Sequence, residues 1–111
     1  MKYLLLIYED EKRFAGGFDP VELAEYQAFG EKHKDTLKGG HALHPSATAK
    51  TVRVRNGQTV TTDGPFAETK EQLGGFYIVE AGSVDEAAKI GAGIPGARYG
   101  SIEVRQIMVF S

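Results

Sequence analysis

The residues best suited to chemistry in this 111-residue chain lie in the run 63–75. Carboxylates at Asp63 and Glu71 and the amine of Lys70 could transfer protons or hold a polar ligand. The run matches neither a phosphate-binding loop, nor a metal-ligand spacing, nor a nucleophile elbow. The chain has no cysteine, which excludes thiol nucleophiles, disulfides and thiolate metal sites. The run is therefore compatible with general acid–base chemistry or with plain ligand binding.

Two further candidates lie outside this run. Arg105 could bind a carboxylate or phosphate through two parallel hydrogen bonds, although an ion pair with Glu103 on the same face of the last strand is the simpler interpretation. Tyr26 shares a face of a predicted helix with His33, and Gly30 between them either forms the floor of a pocket or lets a strand approach. We predict a ligand-binding cleft between helix and sheet, with these candidate residues: Tyr26, Asp63, Lys70, Glu71 and Arg105.

Asp63 also has a purely structural interpretation. Gly64 tolerates positive φ and Pro65 fixes its own φ, so the chain must bend here in one way. An aspartate at such a turn commonly accepts a hydrogen bond from the backbone of the turn. The charges that follow it could equally be ordinary solvated surface groups. A ligand site predicts that Asp63→Asn weakens binding more than stability, and a turn role predicts the reverse.

His41 and His44 are three residues apart in a short apolar segment. A strand would place residues at this spacing on opposite faces, and no third ligand follows at a suitable distance along the chain. We therefore predict no metal site and no cofactor, with both histidines at the surface or at a sheet edge.

The order of strands and helices is typical of an α+β plait. Asp19, Pro20 and Glu22 give three agreeing helix-start signals, and Ser83 opens a capping box for a second helix. We predict a ferredoxin-like fold, in which an antiparallel sheet carries two helices on one face. The predicted elements are strand 2–9, a helix from 20 to about 38, hairpin 48–63, strand 73–80, a short helix after 83, and strand 101–110.

The hairpin is the sharpest local prediction. Asn56-Gly57 lies between two β-rich runs and favours a type I′ turn. Counting outward from this turn pairs Arg55 with Gln58 and Lys50 with Asp63. Because the hairpin is only lightly apolar, we expect it to project from the main sheet or to cover a partner.

The strands at 2–9 and 73–80 each carry apolar residues on both faces. Two helices can cover only one face of the sheet, so the other face needs a different cover. In a chain this short, a second copy is the simplest cover. We therefore expect a homodimer, in the form of a dimeric α+β barrel.

Composition limits the partners. The length fits a single domain over residues 1–111, and thirteen basic against fifteen acidic residues give a net charge of −2. The densest basic group is the pair Arg53 and Arg55, too small to follow a phosphate backbone, so we predict no direct nucleic-acid binding. The apolar run 4–7 is too short to span a membrane, and no secretory leader is evident, so we expect a cytoplasmic protein.

The sequence Asp63-Gly64-Pro65-Phe66, followed by Glu68, Lys70-Glu71 and Gly74-Gly75, resembles the signature of the DGPF subgroup of YCII-related domain proteins. Segments 8–9, 49–55, 83–87 and 102–105 are similar to that family as well, so the resemblance covers nearly the whole chain.

This resemblance implies a dimeric ferredoxin-like fold and an association with extracytoplasmic-function sigma factors in bacterial genomes, but no established reaction. Related YCII domains outside the subgroup carry a helix histidine that pairs with an aspartate, and none of the three histidines here clearly occupies that position. Three functions stay open: binding of a small molecule near the Asp63–Phe66 motif, an accessory or regulatory role through protein contacts, and a dimeric scaffold without a ligand.

Overall fold

The computed structural model describes residues 1–110, which contain six strands and two α-helices. Within these residues, no helix is both long enough and apolar enough to cross a membrane. Short 3-10 helices at Glu11–Phe14, Ser46–Thr48 and Pro95–Arg98 lie in the connections. In chain order the main elements are β1 (Lys2–Glu9), α1 (Pro20–Lys32), β2 (Leu37–Ala42), β3 (Lys50–Arg55), β4 (Gln58–Asp63), β5 (Gln72–Glu80), α2 (Val84–Ala92) and β6 (Ser101–Gln106).

The main sheet has the strand order β2-β5-β1-β6, and its neighbouring strands are antiparallel. Strands β3 and β4 form a separate two-stranded sheet. The predicted ferredoxin-like plait with an extra hairpin is therefore confirmed. The hairpin follows β2 and precedes β5, so it projects from the edge of the plait at which β2 lies.

One face of the sheet packs against both helices and forms the core. Along β1, alternate side chains at Tyr3, Leu5 and Ile7 are buried on this face. Phe29 of α1 contacts the ring of Tyr77 on β5, with the ring centroids 5.2 Å apart. A Cβ at Gly91 of α2 would lie only 3.3 Å from the Ile102 side chain, so α2 sits close against β6. Both helices thus cover the same face.

Within residues 1–110, the other face of the sheet carries no helix. It presents Leu4 and Leu6 from β1 and Ile78 from β5, all of intermediate exposure. Arg105 is the cross-strand partner of Leu4, and Glu103 that of Leu6, so this charged pair lies on the same face. We call these five residues, Leu4, Leu6, Ile78, Glu103 and Arg105, the open face.

Helix α1 is shorter than the sequence predicted, because it ends at Lys32 rather than near Lys38. The segment after it pairs with the edge of β5 as strand β2. Gly40 has φ +157°, and a Cβ there would overlap the backbone of β5. Long-range pairing with β5 therefore overrides the helical pattern of 33–38. The last strand is also shorter than the predicted 101–110, because β1, its neighbour, begins at Lys2, whose carbonyl accepts from the Ile107 N–H just after the end of β6.

The buried face of α1 also differs from the prediction. Glu22 and Phe29 are buried, whereas Leu23, which lies three residues before Tyr26 and so on the same predicted face, is 47% exposed. A Cβ at Gly30 would meet no atom within 4 Å, so this glycine forms neither a pocket floor nor a close approach. The start of α1 is as predicted, since the Asp19 carboxylate accepts a hydrogen bond from the Val21 N–H and Pro20 is the first residue of the helix.

The register of the hairpin is confirmed, with Arg55 opposite Gln58 and Lys50 opposite Asp63. Asn56 has φ +52° and Gly57 has φ +76°, which are the positive angles of a type I′ turn. Val52 and Val54 are each 61% exposed. The hairpin therefore contributes little to the core.

Candidate functional site

A cavity of about 660 Å³ lies on the helix-covered side of the sheet. Its walls come from α1, β2, the first half of β5 and the connection between β1 and α1. The lining is mostly apolar, and its aromatic members are Phe14, Phe18, Tyr26, Phe76 and Tyr77. A cavity of this size and character is typical of a small-molecule site.

Glu9 lies at the inner end of this cavity because it continues the buried side of β1. It has the same strand parity as Tyr3, Leu5 and Ile7, and it is only 5% exposed. A Cβ at Gly96 would overlap the Glu9 carboxylate and approach the Tyr26 hydroxyl to 2.8 Å. The missing side chain at Gly96 therefore leaves the space into which the Glu9 carboxylate and the Tyr26 hydroxyl fit.

Arg13 joins Glu9 to a second buried carboxylate. It lies in the 3-10 helix Glu11–Phe14, four residues after Glu9, and its guanidinium donates to Glu9 Oε2. Its Nη2 donates to Oε2 of Glu22 at 3.0 Å. The guanidinium also stacks over the ring of Tyr99, at 3.8 Å from the centroid. Two carboxylates thus share one cation.

Glu22 leaves one carboxylate oxygen unused. Its side chain is 10% exposed, and its Oε1 has no hydrogen-bond partner in residues 1–110. The sequence assigned Glu22 to the cap of α1, but the carboxylate lies against Arg13 instead. Glu22 also lines the cavity. A buried acceptor without a donor is unfavourable. The atom is enclosed in this conformation, so a donor on a ligand could satisfy it only if the Glu22 side chain turned toward the cavity.

The protonation of the site follows from its burial. Burial raises the pKa of Glu9, and the nearby charge of Glu22 raises it further, whereas Arg13 and a hydrogen bond from Tyr26 act in the opposite direction. Burial also raises the pKa of the Tyr26 hydroxyl, which therefore stays protonated as a donor at neutral pH. The cluster can hold a proton on Glu9 and could act in general acid–base chemistry.

Of the five predicted ligand-binding residues, the structure brings only Tyr26 to the cavity. Asp63 lies on the projecting hairpin, with its carboxylate 2.7 Å from Lys50 Nζ. Glu71 accepts a hydrogen bond from the Ser101 hydroxyl at 2.8 Å.

The other two predicted residues also lie away from the cavity. Arg105 points to the open face, 3.9 Å from Glu103, and Lys70 is exposed in the loop before β5. None of these four residues lines the cavity. Asp63 lies on the separate two-stranded sheet, Lys70 and Glu71 lie in the loop before β5, and the side chain of Arg105 leaves the main sheet on its other side. Whether they bind a ligand elsewhere stays a prediction.

The two histidines of the β2 region line the cavity at its exposed rim. His41 is on the edge strand β2 and packs edge-on against Phe76, with ring centroids 6.0 Å apart. His44 follows it in the connection to the hairpin. In residues 1–110, no group of three or more His, Asp or Glu side chains is arranged to hold a metal ion.

Sequence reasoning missed the central residues Glu9, Arg13 and Glu22. A signal for Glu9 was present, because it falls on the apolar side of β1 by simple alternation. Glu22 carried a weaker signal, since it lies seven residues before Phe29 and so on the same helix face. No sequence signal pointed to Arg13, because its position depends on the short connection between β1 and α1.

Comparison with known proteins places the chain among relatives of similar length. The family model described as YCII-related domain matches residues 1–111. An uncharacterised protein of Rhizobium meliloti (strain 1021) is 36% identical over 117 residues, covering 99% of this chain and 94% of the relative.

A solved structure of similar fold is the 5-chloro-2-hydroxyhydroquinone dehydrochlorinase of Burkholderia phenoliruptrix AC1100, in complex with 2,5-dihydroxybenzoquinone. Its TM-score is 0.59 at 18% sequence identity, and the match covers 97% of this chain and 94% of that one. At this identity, the likeness is one of fold.

Proposed function

Because this chain belongs to the YCII-related domain family and carries a cavity with a buried acid cluster, we propose that it binds a small organic molecule there. The observation that carries the proposal is an apolar, aromatic-lined space of about 660 Å³ whose lining includes Glu22, a buried carboxylate with one unpartnered oxygen. Apolar walls with few convergent polar groups are the usual composition of ligand sites.

The position of the site differs from the one that the sequence suggested. The sequence predicted a cleft between helix and sheet near Asp63–Phe66. The proposed cavity also lies between helix and sheet, but the first lining residue after the motif is Gln72. Phe66 itself is 80% exposed and does not line it. Assignment to the DGPF subgroup stays a prediction from this motif, which the proposed site does not use.

The fold also supports a ring-sized ligand. The dehydrochlorinase of similar fold was solved with 2,5-dihydroxybenzoquinone, a molecule with one six-membered ring. In this chain, the faces of Tyr26 and Phe18 and the side chain of Ile7 offer apolar contact to such a ring. Whether binding leads to catalysis depends on the proton that Glu9 can hold, and the proposal itself is limited to binding.

The test is a titration of 15N-labelled protein with benzyl alcohol, a neutral one-ring probe, followed by NMR. We expect the amide signals of Gly75, Tyr26 and Tyr77 to shift, because these residues line the cavity. Ala42→Phe should abolish the shifts, since Ala42 lines the cavity and a strand accepts an aromatic residue well. Ala47→Phe, at an exposed position outside the cavity, is the matched control and should leave them unchanged. Equal binding by wild type and Ala42→Phe would refute the proposed site.

A further inference from the structure

The ionisable lining of the cavity is acidic. Among the described residues that line it are four carboxylates and two histidines, but neither lysine nor arginine. Glu11 is already engaged, because its two oxygens accept from the Ser46 N–H and the Ser46 hydroxyl. Asp19 caps α1 through the Val21 N–H. Only one oxygen of Asp19 is used in this way, but Asp19 is exposed. The buried carboxylates left in the lining are therefore Glu9 and Glu22.

These two carboxylates share a single counter-charge. Arg13 bonds one oxygen of each, so the ionised trio carries one net negative charge. Glu22 Oε1 is the atom at which this charge is unpaired, since it is buried and accepts no hydrogen bond within residues 1–110. A cation with N–H donors would balance the charge and supply the missing bond, whereas an anion would be repelled.

The rest of the cavity suits the apolar part of such a cation. Phe14, Phe18 and Tyr26 place aromatic rings around the same space. Aromatic faces attract ammonium groups as well as apolar groups, and this attraction grows where water is excluded. An amine with an apolar or aromatic body therefore complements both parts of the lining.

We propose that the ligand of this cavity is a primary or secondary organic amine in its ammonium form, bound through a hydrogen bond to the Glu22 carboxylate once its side chain turns toward the cavity. This inference rests on the proposed function and adds the chemical class of the ligand. Glu9 acts as the second carboxylate that keeps the inner end of the cavity negative, and the aromatic wall holds the body of the amine.

The experiment uses isothermal titration calorimetry at pH 7 to compare three probes of similar shape. Benzylamine is positively charged, benzyl alcohol is neutral and benzoate is negatively charged. We expect benzylamine to bind at least about tenfold more tightly than benzyl alcohol, as a charge-assisted hydrogen bond would give. Benzoate should bind more weakly than either. Glu22→Gln should reduce the preference for benzylamine to about threefold or less while benzyl alcohol still binds.

Glu25→Gln is the matched control on the same helix. Glu25 pairs with Arg98 outside the cavity, so this variant should keep the full preference for the amine. Should Glu22→Gln fail to fold, the 13C signal of the Glu22 side-chain carboxyl in the wild-type protein decides. It should shift with benzylamine and stay in place with benzyl alcohol.

The outcomes separate the two proposals. Equal affinity of benzylamine and benzyl alcohol, or a preference that survives in a folded Glu22→Gln protein, would overturn the amine assignment and leave the cavity as a binding site. Absence of binding by all three probes at millimolar concentration would overturn the proposed function, and the amine assignment with it.

Discussion

At the scale of single residues, the site depends on two buried carboxylates and on a glycine that leaves room for one of them. Glu9 is 5% exposed and Glu22 7%, and Arg13 is the cation that joins them. A buried pair of this kind is weak evidence for stability, because desolvation offsets much of the attraction. Its presence in a cavity wall fits the ligand recognition that we propose better than a role in folding.

The first prediction concerns the pH dependence of stability. The pKa of Glu9 is raised above its ordinary value of 4.5 by burial, with Glu22, Arg13 and Tyr26 as the groups that face it. The native state therefore holds a proton that the unfolded chain has lost, in a window above pH 4.5. The free energy of unfolding should fall as pH rises through that window.

Urea denaturation at closely spaced pH values checks this prediction. The difference between wild type and Glu9→Gln should decrease as pH rises above 4.5. Glu25→Gln gives the opposite sign, because Arg98 lowers the pKa of Glu25, so the difference between wild type and this variant should increase as pH rises toward 4.5 from below. Parallel curves for wild type and Glu9→Gln would show that Glu9 titrates normally.

The second prediction compares two glycines. Gly96→Ala places a methyl group where the Glu9 carboxylate lies, so it should lower the free energy of unfolding by about 1–3 kcal/mol, as overpacking does. In Gly30→Ala the new methyl group meets no atom within 4 Å, and the residue lies inside α1, so this change should raise the free energy of unfolding by about 0.5–1 kcal/mol. Thermal and urea unfolding of the two variants and of wild type measure both changes in the free energy of unfolding. If Gly96→Ala left the free energy of unfolding unchanged, the Glu9 carboxylate would be free to move away from the new methyl group.

At the scale of elements, the sequence predicted the turn and the helix caps, which depend on residues close together in the chain. The Asn56-Gly57 turn, the Asp19 cap and the Ser83 cap are all present, because each depends on neighbours within a few residues. Strand β2 was missed, since residues 37–42 become a strand only by pairing with β5, more than thirty residues further along the chain. A cleft between helix and sheet was predicted, but most of its lining residues were missed for the same reason, as its walls come from four separate elements.

The third prediction tests Asp63, the residue of the Asp63–Phe66 motif that belongs to hairpin strand β4. The Asp63 side chain is 87% exposed and pairs with Lys50, which is 67% exposed. Such a surface pair contributes at most about 1 kcal/mol. We therefore expect Asp63→Asn to change the free energy of unfolding by less than that and to leave benzyl alcohol binding intact. A loss of binding in a stable Asp63→Asn protein would restore the motif as a ligand site.

At the scale of the whole molecule, the open face remains without a cover in the single chain. We propose that a second copy covers it, as the sequence led us to expect. The face is self-complementary, because it carries Leu4 and Leu6 together with both charges of the pair Glu103 and Arg105. A twofold axis can place Arg105 of one copy beside Glu103 of the other.

The fourth prediction follows from this arrangement. Sedimentation equilibrium at micromolar concentration should show a dimer for wild type and a monomer for Leu6→Lys, in which the new charge can pair with Glu103 but cannot be buried. Val21→Lys is the control, since Val21 is 68% exposed on the opposite side of the sheet. A monomeric wild-type protein would refute the proposal that a second copy covers the open face.

The most direct test of the central claim is a crystal structure of the protein with benzylamine. We predict the ring between α1 and β5, against Tyr26 and Phe18, with the nitrogen at about 3 Å from Glu22 Oε1. Benzylamine bound elsewhere on the molecule, or an empty cavity at a concentration that saturates the protein in solution, would contradict the account.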